Sequence, residues 1–172
     1  MQDRQGENEP TFESFYKETH ARVVASLTLT LGDVEVARDA AADAFTKALV
    51  NWQRVSRMSS PVGWTYTVAM NSGRRFFTRR ATERRLLEAH GQARAELPDE
   101  VATVWLDLKR LPLRQREAVV LRYALDMTEV QVASAMGVRR STVSATLAAA
   151  RRSLGSLLAD TTDVPLLEGR TR

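Results

Sequence analysis

Thr128-Glu129-Val130-Gln131-Val132-Ala133-Ser134-Ala135-Met136-Gly137-Val138-Arg139-Arg140-Ser141-Thr142-Val143-Ser144-Ala145-Thr146-Leu147 decides the fold. Thr128 and Gln131 have the spacing of a capping box, in which each side chain satisfies a backbone N–H at the start of a helix. Ala133 is small enough for a second helix to pack across the first. Gly137, four residues on, supplies the positive φ of a tight turn, and Val143, six further, closes a small core. Val132, Met136, Val138 and Leu147 fill the other inward positions. These offsets specify a helix-turn-helix. Arg139 and Arg140 fall just before the second helix, whose free N–H groups and dipole already attract phosphate. Ser141 is the candidate cap of that helix, which runs to about Leu158.

Working back from this motif, Val101, Val104, Trp105, Leu108 and Leu111 recur at helical spacing until Pro112, and a further helix spans about Leu113 to Tyr123. Residues 88–98, with Gly91 and Pro98, break the pattern and read as a linker. Before them, Phe12, Phe15, Tyr16, Val23, Leu27 and Leu31 mark one helix, closed by Gly32. Asp33 then caps a second, whose buried side is expected to carry Val34, Ala37, Ala41, Ala44, Phe45, Ala48, Leu49 and Trp52. After a polar loop, 53–60, Pro61 suits the first turn of a third helix reaching about Leu87. Gly73 inside it, where glycine costs about 1 kcal/mol against alanine, points to a close approach by another backbone. The chain is therefore all-α: two small helical domains, 11–87 and 99–158, joined by the linker 88–98, with loose tails at 1–10 and 159–172. The C-terminal domain contains the helix-turn-helix.

The first domain carries two charged features. Arg74, Arg75, Arg79, Arg80, Arg84 and Arg85 stand against Glu83 alone, with Phe76 and Phe77 between the pairs. Arginine interleaved with aromatics suits single-stranded or distorted nucleic acid, where phosphates pair and bases stack. Glu35, Asp39, Asp43 and Lys47, each four apart, form a stripe on the polar side of the second helix, and Asp43 and Lys47 make a favourable pair. An acidic stripe would not grip DNA, so its simplest use is a protein partner with a basic surface.

Composition narrows the classes further. Basic residues number 25, nearly all of them arginine, and the net charge is +4. There is no cysteine, which excludes disulfides, thiolate metal sites and cysteine nucleophiles. His20 and His90 stand apart, with no carboxylate pair or glycine-rich phosphate loop, so neither catalysis nor a cofactor or metal is expected. Residues 1–10 hold no apolar run of the signal-peptide kind, and nothing approaches a membrane span. The expectation is a soluble cytoplasmic protein, not an enzyme and without membrane contact.

In this order, the pieces resemble the extracytoplasmic-function (ECF) group of the sigma-70 family of bacterial sigma factors, over residues 11–158. The strongest stretch is Leu111-Pro112-Leu113-Arg114-Gln115-Arg116-Glu117-Ala118-Val119-Val120-Leu121-Arg122-Tyr123, followed by Glu129-Val130-Gln131-Val132-Ala133 and Met136-Gly137-Val138. It is similar to the family's domain for the −35 promoter element. Ala37-Arg38-Asp39 with Asp43 and Phe45 resembles the segment that docks on the clamp helices of the largest polymerase subunit. Pro61, Trp64, Val68, Ala69 and Asn71, leading to Arg79-Arg80, resemble the helix that engages the −10 element.

The resemblance implies a sigma factor that binds core RNA polymerase, at the clamp helices and at the flap of the second-largest subunit. It would direct promoter-specific initiation and assist strand opening, and it leaves room for an anti-sigma factor. The loop 53–60 would help capture a base flipped from the non-template strand. The implied sites are Glu35, Asp39, Asp43 and Lys47 for polymerase. For −10 DNA they are Arg57, Met58, Asn71, Arg74, Arg75, Arg79 and Arg80; for −35 DNA, Arg139, Arg140, Ser141, Thr142, Ser144, Ala145 and Thr146.

Three departures from the family pattern stand out. Ala42 replaces a usual glutamine, and Arg75 a common aspartate. The recognition helix opens Ser141-Thr142-Val143 with no charge until Arg151. Two alternatives stay open: a helix-turn-helix regulator acting without polymerase, and a sigma-like decoy that binds a regulatory protein.

Overall fold

The computed structural model describes residues 11–87 and 99–162, with side chains described for 11–75 and 104–156. Within these residues every regular element is helical: α1 (Phe12–Leu31), α2 (Val34–Val50), the single turn α3 (Trp52–Val55), α4 (Pro61–Leu87), α5 (Asp99–Leu108), α6 (Leu113–Val119), α7 (Glu129–Met136) and α8 (Arg140–Thr162). α6 runs on into a π-helical turn, Val120–Ala124. The expected tail at 1–10, the linker 88–98 and residues 163–172 lie outside the described residues; the expected tail from 159 is not loose at its start, since α8 runs on to Thr162.

The α1–α2 corner follows from its sequence. Gly32 takes φ 72°, and its N–H reaches Thr28 O, which ends α1. Asp33 Oδ1 then accepts the N–H groups of Glu35 and Val36 at 3.1 and 3.0 Å and starts α2. Such a cap is worth about 1 kcal/mol. α2 turns a face of Val36, Ala37, Ala40, Ala41, Ala44 and Ala48, all fully buried, towards α1 and α4. Small side chains let the neighbouring helices come close. At Gly73 of α4 the close neighbour is a side chain, not a backbone: a Cβ there would stand 2.9 Å from Leu31 Cδ1. Tyr66 Oη and Thr30 Oγ1 share a buried hydrogen bond of 2.8 Å that ties α4 to α1. Phe12, Phe15, Tyr16, Phe45 and Trp52 form an aromatic cluster at the other end of this group.

Leu49 departs from expectation. It is 54% exposed, not buried, and Val50 beside it is 79% exposed. At about 100° per residue Leu49 falls roughly 140° from Ala44, beyond the arc that α1 and α4 cover.

α5–α8 pack on each other and also on the first four helices. Leu108, Leu111, Ala118, Val120, Leu121, Leu125, Met127, Val132, Val143, Leu147 and Ala150 continue the apolar cluster that begins at Phe15. α1 meets α5 and the π-turn, and α4 meets α7. The Arg116 guanidinium donates to Thr30 O at the end of α1 and to Leu108 O, Lys109 O and Leu111 O, and it lies 4.5 Å over the Trp105 ring. One side chain thus satisfies carbonyls from two helix ends.

Candidate nucleic-acid interface

The helix-turn-helix forms as the sequence specifies. Thr128 Oγ1 accepts the Gln131 N–H, Gln131 Oε1 accepts the Thr128 N–H at 2.9 Å, and Gly137 ends α7 with φ 65°. Val132, Ala133, Val143 and Leu147 are buried between α7 and α8. α8 opens at Arg140, with Arg139 O accepting from Thr142 N and Val143 N, so Ser141 sits inside the first turn rather than capping it.

The outward side of α8 carries Ser141, Thr142 and Ala145, all exposed, with Arg139 and Arg140 exposed at its start. Ser144 and Thr146 are only half-buried, and both hydroxyls are engaged. Ser144 Oγ donates to Glu129 Oε2 at 2.6 Å, and Thr146 Oγ1 donates to Thr142 O at 2.7 Å. Arg140 Nε stands 3.6 Å from the same Glu129 oxygen. The Ser144 hydrogen bond, helped by the Arg140 charge, holds the Glu129 carboxyl below its usual range. Ser144 therefore fastens the recognition helix to α7. Arg152 was not among the expected contacts, yet it is exposed. It lies eleven residues beyond Ser141, three helical turns along the same stripe.

α4 and the loop before it form the second surface. Arg57 and Asn71 are exposed, and Met58 is half-buried. Arg74 Nη2 lies 3.6 Å from Glu117 Oε2, a carboxylate 6% exposed that Arg114 also approaches at 3.3 Å. Arg75 is exposed, and its charge acts on Asp43. Arg79 and Arg80 lie on α4, but their side chains are outside the described residues, as are those of Phe76, Phe77, Arg84 and Arg85. Met58, Ser59, Ser60, Gly63, Trp64 and Thr67 form one wall of a cleft of about 280 Å³ whose other wall is Gln131, Ser134 and Ala135 of α7.

On α2, Asp39 is exposed and Glu35 pairs with Arg38 at 2.8 Å. Asp43 turns partly inward. It accepts from Lys47 at 2.7 Å and from the Ser72 hydroxyl of α4, and these bonds hold its carboxyl below the ordinary 3.8. Beside this stripe the exposed Leu49 and Val50 add apolar surface. Among the described residues no cluster of His, Cys, Asp and Glu could hold a metal, and no helix is long and apolar enough to cross a membrane.

Residues 108–154 match the family model "Sigma-70, region 4". The fold is similar to that of the sigma factor RpoE in complex with the anti-sigma factor NepR from Bartonella quintana, with a TM-score of 0.65 and 20% identity over 86% of this chain and 96% of that one. It is similar also to CnrH in complex with the cytosolic domain of CnrY, with a TM-score of 0.62 and 21% identity over 90% and 91% of the two chains. No curated protein matches the sequence at a significant level. Residues 108–154 are thus similar to region 4 of sigma-70, and the fold of the chain is that of the solved sigma factor.

Proposed function

We propose that the chain is a sigma factor that uses its two helical groups as separate tools. α1–α4, in the block 11–87, dock on core RNA polymerase and engage the −10 element; α5–α8, in the block 99–158, read the −35 element. The observation that carries this reading is the region 4 helix-turn-helix, whose recognition face of Ser141, Thr142, Ala145 and Arg152 is open to solvent. Arg139 and Arg140 hold phosphate at the start of α8. Hydroxyls and methyls on the helix contact base edges, and Ala145 suits a thymine methyl.

On α2, Asp39 offers charge to a basic clamp surface, while Leu49 and Val50 offer apolar area beside it. Asp43 and Lys47 contribute less, since they face each other. The loop 56–60 with Arg57 and Met58, and the α4 residues Asn71, Arg74 and Arg75 leading to Arg79 and Arg80, take the unpaired strand. Unstacking a base costs a few kcal/mol, which contacts made only to the open strand offset. The protein acts in the cytoplasm, on the nucleoid, through polymerase. An anti-sigma factor is a further proposed partner, as RpoE was captured with one.

Incubating the purified chain with core polymerase and a pool of genomic fragments tests the proposal. Promoter-dependent transcripts are expected only when the chain is present. Binding to DNA without polymerase, and no transcripts with it, would favour the regulator reading. Binding to neither would favour the decoy.

A further inference from the structure

α8 carries no charge between Arg140 and Arg151, yet a protein that reads DNA draws much of its affinity from phosphate. A group suited to phosphate stands on the flank of the same helix. Arg151 lies seven residues past Ser144, two helical turns on, so the two share the side of α8 that faces α6 and α7. Its Nε and Nη2 both donate to Tyr123 Oη, at 3.2 and 2.8 Å, on the π-helical turn that follows α6. Tyr123 is 56% exposed, an aromatic ring that the core does not use. Arg122 lies 5.7 Å over that ring and donates to Met127 O at 3.2 Å, which holds the turn in shape.

The valences that this pair leaves over are all donors. A phenol oxygen accepts through its lone pairs, engaged here by Arg151, and keeps its O–H to donate. A guanidinium has five N–H groups, of which the fork uses two. Arg151 is exposed, and the ion pairs among the described residues do not include it. An anion is the ligand that such a pair fits. A helix with its side chains is about 10–12 Å across and the major groove about 12 Å wide, so a helix lying there brings its flanks against the two backbones. The first helix of a helix-turn-helix crosses a backbone, and α7 begins beside this flank, where Glu129 meets Ser144.

We propose that Tyr123 and Arg151 form a paired clamp for one backbone phosphate of the −35 DNA, with Arg122 as its positioning residue. The inference rests on the sigma-factor reading and adds a site outside the recognition face. Tyr123 donates its O–H, and Arg151 its remaining N–H groups, to the same phosphate. The fork holds the long Arg151 side chain in one arrangement before DNA arrives, so less freedom is lost on binding. The clamp fixes where α8 lies along the groove, and the neutral face reads the bases beneath it.

Promoter binding by the full chain together with core polymerase tests this, on a fragment from which the unmodified chain initiates. Tyr123→Phe keeps the ring and should weaken binding roughly three- to tenfold, the scale of one hydrogen bond. Arg151→Gln should weaken it further and lower the salt slope by about 0.9. The double variant should bind about as Arg151→Gln does, because both side chains act on one phosphate. Base preference at −35 should stay as in the parent throughout.

A single neutral methylphosphonate, moved step by step along each strand of the element, locates the phosphate. At one linkage the unmodified chain should lose affinity while the two variants lose little more, a response that a purely structural role of Tyr123 would not produce. If no linkage separates parent from variants, or if Arg151→Gln leaves the salt slope unchanged, the proposal is overturned. A loss with Arg151→Gln and none with Tyr123→Phe also overturns it, since the arginine then works alone. If the unmodified chain with polymerase initiates from no fragment at all, the sigma-factor reading falls, and this inference with it.

Discussion

α8 shows solvent Ser141, Thr142 and Ala145, none of them charged, whereas α4 shows Asn71, Arg74 and Arg75. The arginines of α4 are not idle. Arg74 faces Glu117 from the other half of the chain, and the Arg75 charge acts on Asp43 of α2. One helix offers a neutral stretch open to solvent, with Arg139 and Arg140 at its start and Arg152 three turns on. The other offers charges that the protein's own carboxylates partly answer. Nucleic acid meeting α8 gains contacts on an open face, while a strand meeting α4 must first displace internal partners. The first arrangement favours reading sequence or shape; the second favours a conditional grip on phosphate.

The contrast is broken most severely from beneath α8. Leu147 is 1% exposed between α8 and its neighbours, and Leu147→Ala should cost about 2–5 kcal/mol. Thermal denaturation should show the loss, and −35 duplex binding should go with it. Next in size is the charge of α4. Arg74→Ala with Arg75→Ala should lower the salt slope for a −10 non-template oligonucleotide by about 0.7 per lost single-strand contact. Thr142→Ala should leave the slope for −35 duplex unchanged. Equal slopes in the arginine variant and the parent would remove both arginines from the interface.

A smaller effect, of opposite sign, tests the internal competition. Glu117→Gln removes the carboxylate that faces Arg74 but keeps the shape. Affinity for the same oligonucleotide should rise roughly two- to fivefold, the scale of a partly exposed ion pair. A fall would mean that Glu117 orients Arg74 for the strand instead of competing with it.

The two regions also differ in how far sequence reveals them. The helix-turn-helix is legible because its determinants are local. The Thr128–Gln131 box, Gly137 and the buried Val143 lie within sixteen residues and act through backbone geometry alone. The Gly32–Asp33 corner is legible for the same reason. Leu49 is exposed although it keeps the apolar spacing, because that spacing gives the width of an apolar stripe, not which arc the neighbours cover. Gln131 on Ser59 and Arg116 on Thr30 join residues 72 and 86 positions apart, which no periodicity encodes. Arg152 could have been found, since it continues the Ser141–Ala145 stripe. Ser144 looked like a base reader because only the fold brings Glu129 to its hydroxyl.

That last residue yields the finest test of the contrast, since Ser144 divides the recognition helix into an outward side and an anchored one. Glu129 has its carboxyl held below the ordinary 4.5, first by the Ser144 hydrogen bond, which outweighs the opposing effect of burial, and then by the Arg140 charge. A carboxylate with a lowered folded pKa adds stability that is present above its unfolded pKa and fades as pH falls through the folded value. The anchoring of α8 to α7 should therefore be complete at neutral pH and weaken only below about 4.5. Ser144→Ala should remove part of this acid dependence, bringing the carboxyl back towards its ordinary value. At pH 7 the loss of stability should be much smaller than for Leu147→Ala, and base preference at −35 should change little. Thr142→Ala should do the reverse, leaving the acid profile intact while shifting base preference. Denaturation midpoints measured between pH 3 and 7, beside duplex binding at pH 7, separate the two. If Ser144→Ala alters base preference as much as Thr142→Ala, the hydroxyl leaves Glu129 on binding DNA, and the anchored side of α8 is a reader too.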